Sequence, residues 1–155
     1  MKKTATLALA LGLVAGAAVA QKLPPKPGAP GSPVRITRSA NQEDHIIAAA
    51  RRITRNDAEK LVREGKAVYV DVRSKETYDK GHIKGAISLP GSQIVGRMNE
   101  IPPGKMAITY CACVEEHTAA VAVVRLNRAG NRNVAALVGG YNEWIEKGMP
   151  TERSK

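Results

Sequence analysis

Between residues 53 and 150, short β-branched apolar runs alternate with longer segments whose apolar positions recur at helical spacing. The run KAVYVDVR, 66–73, carries Val68, Tyr69, Val70 and Val72 and predicts a buried strand. AISLP (86–90), KMAITYC (105–111) and NVAALV (133–138) predict three more. The intervening segment ITRNDAEKLVREG predicts a helix opened by Thr54 as N-cap, with Asp57 as its capping-box partner, and closed at Gly65. SKETYDKGHIKG reads as a turn-rich connection with a short helical patch, and SQIVGRMNEI, 92–101, as helix. A helix from about Thr118 to Asn127 stops at Gly130, and GGYNEWIEKGMP turns on its glycines into a last helix that Trp144 anchors in the core. Upstream, NQEDHIIAAARR, 41–52, predicts a helical extension with Ile46, Ile47, Ala50 and Ile53 near one face. Strands alternating with helices in this way imply an α/β fold, a parallel sheet covered on both faces. In such sheets the working site lies beyond the carboxyl ends of the strands.

The two ends of the chain follow other rules. MKKTATLALALGLVAGAAVA, 1–20, sets two lysines before a short apolar run and closes on the small-x-small pattern of Ala18, Val19 and Ala20. That is the layout of a cleaved signal peptide, and it sets the expected destination as periplasmic or secreted. The apolar run is shorter than the roughly 20 residues that a membrane-spanning helix needs, so no stable membrane insertion is expected after cleavage. Residues 21–40 form a proline- and glycine-rich linker, with five prolines and two glycines between Gln21 and Arg35. Residues 53–150 are then one domain, and 151–155 a tail.

Loss of Lys2 and Lys3 with the signal lowers the formal charge from +10 to +8. A basic balance of this size suits anionic substrates or an anionic surface. Nucleic acid is not an expected partner, since aromatic content is 3% and no nucleic-acid motif occurs.

The chemistry concentrates in CACVEEH, 111–117, which holds both cysteines of the chain. A thiol between a strand end and a helix start meets unpaired backbone N–H groups and the positive end of the helix dipole, and both favour its anion. A buried cysteine acting as a small hydrophobe is the plainer reading. In an oxidising compartment the Cys111–Cys113 pair also lends itself to reversible disulfide formation. Metal binding would draw on Cys111, Cys113 and His117 and still lack a fourth ligand, so no metal is expected. Glu115 and Glu116 read as first-turn acids that support the helix dipole and point outward.

YVDVRSKETYDKGHIKGAISLP, then ITYC, a helix, and NVAALVGGYNEWIEKGMP resemble the rhodanese-like sulfurtransferase family from about Ile53 to Pro150. Three signatures carry the resemblance: Asp71 to Arg73 as D-x-R, Gly81 to Pro90 as GHIxGAxxLP, and Gly139 to Trp144 as GGYxxW. The resemblance implies a three-layer fold around a central, mainly parallel five-stranded sheet. It also implies a cysteine that accepts sulfane sulfur from a small donor, holds it as a persulfide, and passes it to a thiol or other thiophilic acceptor. No metal or organic cofactor takes part. By resemblance Cys111 is the carrier, with Cys113 the alternative or resolving thiol, and Ala112, Cys113, Val114, Glu115, Glu116 and His117 form the substrate-binding loop. Asp71 and Arg73 support the loop from the neighbouring strand end.

The departures matter as much. Gly130 lies nineteen positions after Cys111 and seventeen after Cys113, the latter being the family's usual spacing. The loop also lacks the arginine and glycine of many active members and offers Glu115 and Glu116 instead; carboxylates beside the sulfur would raise its pKa and repel a dianion, which argues against thiosulfate as donor. It equally excludes the related phosphatases, whose phosphate clamp is an arginine five residues after the cysteine. The competing class is a non-catalytic or redox-responsive binding module built on the Cys-x-Cys pair.

Overall fold

The computed structural model describes Asp44, His45 and residues 47–154. The expected signal peptide and all of the linker lie outside these residues. The elements in chain order are β1 (Arg52–Ile53), α1 (Arg55–Arg63), β2 (Ala67–Asp71), α2 (Lys75–Lys80), β3 (His82–Ile83), β4 (Ile87–Ser88), β5 (Met106–Tyr110), α3 (His117–Arg128), β6 (Val134–Leu137), α4 (Gly140–Glu146) and β7 (Thr151–Glu152).

Five strands form one sheet in the order β1-β6-β5-β2-β4, and every neighbouring pair is parallel. This is the mainly parallel, helix-covered sheet expected from the alternation of strand and helix patterns. The central strands β2, β5 and β6 are buried at every position, which is why they read as continuous apolar runs. Their side chains still divide by the two-residue period of a strand. Val68, Val70, Ala107, Val134 and Ala136 face one core with Ala119, Ala120, Val123 and Leu126 of α3. Tyr69, Ile108, Tyr110, Ala135 and Leu137 face the other, covered by Ala58 of α1 and Trp144 of α4.

The helix starts follow the sequence. The Thr54 hydroxyl accepts the Asp57 N–H at 3.2 Å and donates to its carboxylate at 2.7 Å, capping α1. Ser74 caps α2 by accepting the Thr77 N–H at 3.2 Å.

Four segments differ from expectation. The helix anticipated over 41–52 does not reach its predicted end, because Arg52 and Ile53 pair with Ala136 and Leu137 as edge strand β1. Residues 92–101 make a series of turns closed by a 3-10 turn at Met98–Glu100, with Ile94 and Ile101 as buried anchors. Gly96 disfavours a continuous helix there. The expected strand 86–90 shortens to Ile87–Ser88. Thr151 and Glu152, expected in a tail, pair antiparallel with Ile83 and His82 as a separate two-stranded sheet.

Candidate active site

Strands β2 and β5 end side by side, with Asp71 opposite Tyr110. The Val72 N–H donates to the Tyr110 carbonyl at 3.1 Å, so the pairing continues to the last residue before the cysteines. Within β5 the buried Thr109 hydroxyl lies 3.1 Å from the Ala119 carbonyl oxygen and 3.3 Å from that of Ala135. That contact sets the first turn of α3 against the strand that delivers the loop.

The loop backbone is held from the α4 side. The Tyr141 N–H donates to the Cys111 carbonyl at 2.8 Å, and the Asn142 amide donates to the Ala112 carbonyl at 3.3 Å. Gly140, with φ +52°, comes so close that a Cβ there would collide with the Cys111 carbonyl oxygen. Gly140 therefore serves close packing against the loop, whereas a Cβ on Gly139, with φ +73°, would meet the Glu143 side chain instead.

The two sulfurs sit in different surroundings. Cys111 is 3% exposed and packs into the α3-side core. Cys113 is half-buried against the same core, and its Sγ accepts the Thr118 N–H from the first turn of α3 at 3.3 Å. The cysteines are joined as a disulfide, with Cα atoms 5.6 Å apart.

Beyond Cys113 the chain turns sharply. Val114 is exposed, and Glu115 and Glu116 both adopt left-handed backbone, with φ of 53° and 52°. For residues with a Cβ this costs about 1–2 kcal/mol each. Part of the compensation is visible at Glu116. Its carboxylate accepts the Gly139 N–H at 2.7 Å and lies 3.7 Å from the Arg52 guanidinium on β1. The expectation of two outward-pointing helix-capping acids is thus corrected for Glu116, which occupies the N-cap position of α3 without a side-chain cap bond and reaches across to α4. Its charge is matched by an amide and a guanidinium. Glu115 is exposed.

Asp71 and Arg73 touch neither sulfur. The fully buried Asp71 carboxylate accepts the Arg73 backbone N–H at 2.9 Å, Nε at 2.9 and 3.1 Å, and Nη2 at 2.6 Å. Nη2 also donates to the Gly81 carbonyl at 2.7 Å, and the guanidinium stacks 4.0 Å from the centre of the Tyr141 ring. Burial works against the Arg73 charge, but its bonds to Asp71 outweigh burial and raise its pKa. Burial first, then the Asp71 charge, raise the Tyr110 phenol so that it stays protonated. Its oxygen accepts the Ile83 N–H at 3.1 Å. The pair supports Tyr141, and Tyr141 holds Cys111.

A groove of about 590 Å³ runs between the β2–α2 connection, Pro90–Gln93 and α3. Arg73, Lys75, His117 and Arg125 line it without any acid, and Thr118 is shared between its wall and the Cys113 contact. His117 is exposed. Among the described residues, no three His, Cys, Asp or Glu side chains are clustered as metal ligands.

The sequence reading brought together the loop residues 111–117, and it missed Thr118, Asn142 and Arg52. The first had a signal, a threonine at the start of a helix directly after the cysteine loop. The other two are long-range contacts without a local one.

Residues 54–147 match the family described as Rhodanese-like domain. An HTH-type transcriptional regulator of Mycobacterium tuberculosis is 34% identical over 129 residues, covering 77% of this chain and 55% of that protein. The chain thus spans about half the length of this relative. Thiosulfate sulfurtransferase 16, chloroplastic, of Arabidopsis thaliana is 30% identical, covering 54% of this chain and 78% of that protein. A crystal structure of thiosulfate sulfurtransferase from Pseudomonas aeruginosa aligns with a TM-score of 0.64 and 27% identity, over 73% of this chain and 22% of that one.

Proposed function

The chain belongs to the Rhodanese-like domain family, and from that premise we propose that it is a sulfurtransferase, carrying sulfane sulfur as a cysteine persulfide at the end of β5 and passing it to a thiophilic acceptor. The observation that carries this reading is the amide of Thr118 directed at Cys113 Sγ from the head of α3. Such a donor, together with the dipole of a twelve-residue helix, favours an anionic sulfur over a neutral thiol.

The reaction begins from the reduced loop. A cysteine thiolate attacks the terminal sulfur of a donor, a sulfur–sulfur bond forms, and the donor's own bond breaks with the electron pair leaving on the donor fragment. In the second half an acceptor thiolate attacks the outer sulfur, and the cysteine departs as thiolate. Strand continuity favours Cys111 as the carrier. Exposure and the Thr118 amide favour Cys113, and they outweigh it, because a donor cannot reach a sulfur in the core. The arginine-free loop supports sulfane-sulfur donors of lower charge, such as organic persulfides or thiosulfonates, over thiosulfate, whose two charges it does not clamp. The lysine-headed apolar start supports action in the periplasm or outside the cell.

The test is mass spectrometry of reduced variants after exposure to benzenethiosulfonate. Cys111→Ala is expected to gain one sulfur, and Cys113→Ser none. Dependence on Cys111 instead would return the carrier to that position. A second reading, a redox-responsive binding module, draws on the disulfide that occupies both sulfurs. It gains if no form of the protein takes up sulfur.

A further inference from the structure

We propose that Cys111 is a resolving thiol that discharges the Cys113 persulfide as hydrosulfide, so that the Cys111–Cys113 disulfide is the product of a sulfide-releasing half-reaction. The proposal rests on the sulfurtransferase reading above and adds an activity to it.

Three observations converge. The first is reach: the two Cα atoms stand 5.6 Å apart, within the span that a disulfide bridges, and the two sulfurs are bonded. The second is fixation. The Cys111 carbonyl is held by the Tyr141 N–H, the Ala112 carbonyl by Asn142, and the Cys113 sulfur by the Thr118 N–H. Gly140 closes against the Cys111 carbonyl from below. A nucleophile held this way beside its target avoids most of the entropy cost of a bimolecular encounter, and effective molarities in such systems reach about 10⁵ M or more.

The third is asymmetry. Cys111 is buried in the core, whereas Cys113 is half-buried at the loop surface. A sulfur donor from solution therefore loads Cys113, while Cys111 is kept for an internal partner.

The step balances without any further oxidant. The Cys111 thiol gives up its proton, which ends on the outer sulfur, and the resulting thiolate attacks Cys113 Sγ, the inner sulfur of the persulfide. The Cys111–Cys113 bond forms as the bond from Cys113 Sγ to the outer sulfur breaks, and the outer sulfur leaves with the electron pair as hydrosulfide. The two cysteines are oxidised by two electrons, and the sulfane sulfur is reduced by two. Renewal requires a dithiol reductant, which attacks Cys113 Sγ as the accessible sulfur and releases Cys111 as thiolate.

The experiment uses benzenethiosulfonate as donor under anaerobic conditions, because its leaving group is benzenesulfinate and any sulfide must come from the second step. Reduced wild-type protein is expected to release one sulfinate and one sulfide per chain and to finish two hydrogens lighter, with Cys111 linked to Cys113. Cys111→Ala, and Cys111→Val as a second core-compatible variant, should release one sulfinate, no sulfide, and retain one added sulfur. Wild-type protein that releases sulfinate but keeps the added sulfur, with Cys111 still alkylatable after unfolding, would overturn the resolving role and leave the sulfurtransferase reading standing. Absence of both sulfinate and added sulfur in every form would overturn both.

Discussion

Substituting Gly140 by alanine tests whether α4 grips the sulfur-bearing loop. Gly140 has φ +52°, and a side chain in this region costs about 1–2 kcal/mol wherever it is placed. Gly65 has φ +71° with open space around the position of a Cβ, so Gly65→Ala measures that conformational cost alone. At Gly140 the new methyl meets the Cys111 carbonyl oxygen, which already accepts the Tyr141 N–H at 2.8 Å. To clear the methyl, the carbonyl must move and give up this bond, leaving a polar group unpaired at a cost of about 1–3 kcal/mol. The entropy that alanine removes from the unfolded chain is similar at both sites and cancels in the comparison. Gly140→Ala should therefore lose about 2 kcal/mol more than Gly65→Ala, read from urea unfolding of the reduced proteins followed by Trp144 fluorescence. Sulfinate release from benzenethiosulfonate should slow with it in Gly140→Ala and persist in Gly65→Ala. Equal stability losses in the two variants would mean that the Cys111 carbonyl relaxes freely and that α4 does not position the loop.

Other expectations follow from contacts around the site. Asp71→Ala strands the part-buried Arg73 guanidinium and should cost about 3–5 kcal/mol in urea unfolding, with the Asp71→Ala/Arg73→Ala double variant losing clearly less than the sum of the singles. Glu116→Ala should cost about 1–3 kcal/mol by removing the acceptor of the Gly139 N–H, whereas Glu116→Gln keeps an acceptor oxygen and should retain most of that stability. The Glu152 carboxyl is held below the ordinary glutamate range, first by the Gly85 N–H. A lowered folded pKa gives stability that is complete above the unfolded glutamate pKa and is lost as pH falls through the folded one, so Glu152→Gln should flatten the acid limb of stability against pH between about 3 and 6.

How much was legible in the chain depended on whether a feature left a local pattern. Strands β2, β5 and β6 did, because burial on both faces favours apolar runs such as VYV and VAAL. The position of the cysteines beyond a strand end followed from that. Strands β1 and β7 did not, since two residues carry no period and their pairing is set by the partners Ala136 and His82 far along the chain. The helix expected over 92–101 failed where two buried isoleucines seven residues apart mimicked helical spacing around Gly96. Within the loop, residue types announced a thiol and its acids, yet which sulfur faces the solvent is decided by packing against α3. The direction of Glu116 is decided by the Gly139 amide, 23 positions away.

The short ladder of β3 and β7 carries a mechanical implication. Thr151 pairs with Ile83, the Ile83 amide is bonded to the Tyr110 hydroxyl, and Tyr110 is the residue immediately before Cys111. A pull on the chain after Glu152, from a bulky fusion or a tethered neighbour, would be transmitted over these few links to the backbone that presents the sulfur. Appendages on this side ought to be separated by a slack spacer, or they will be felt at the cysteine loop.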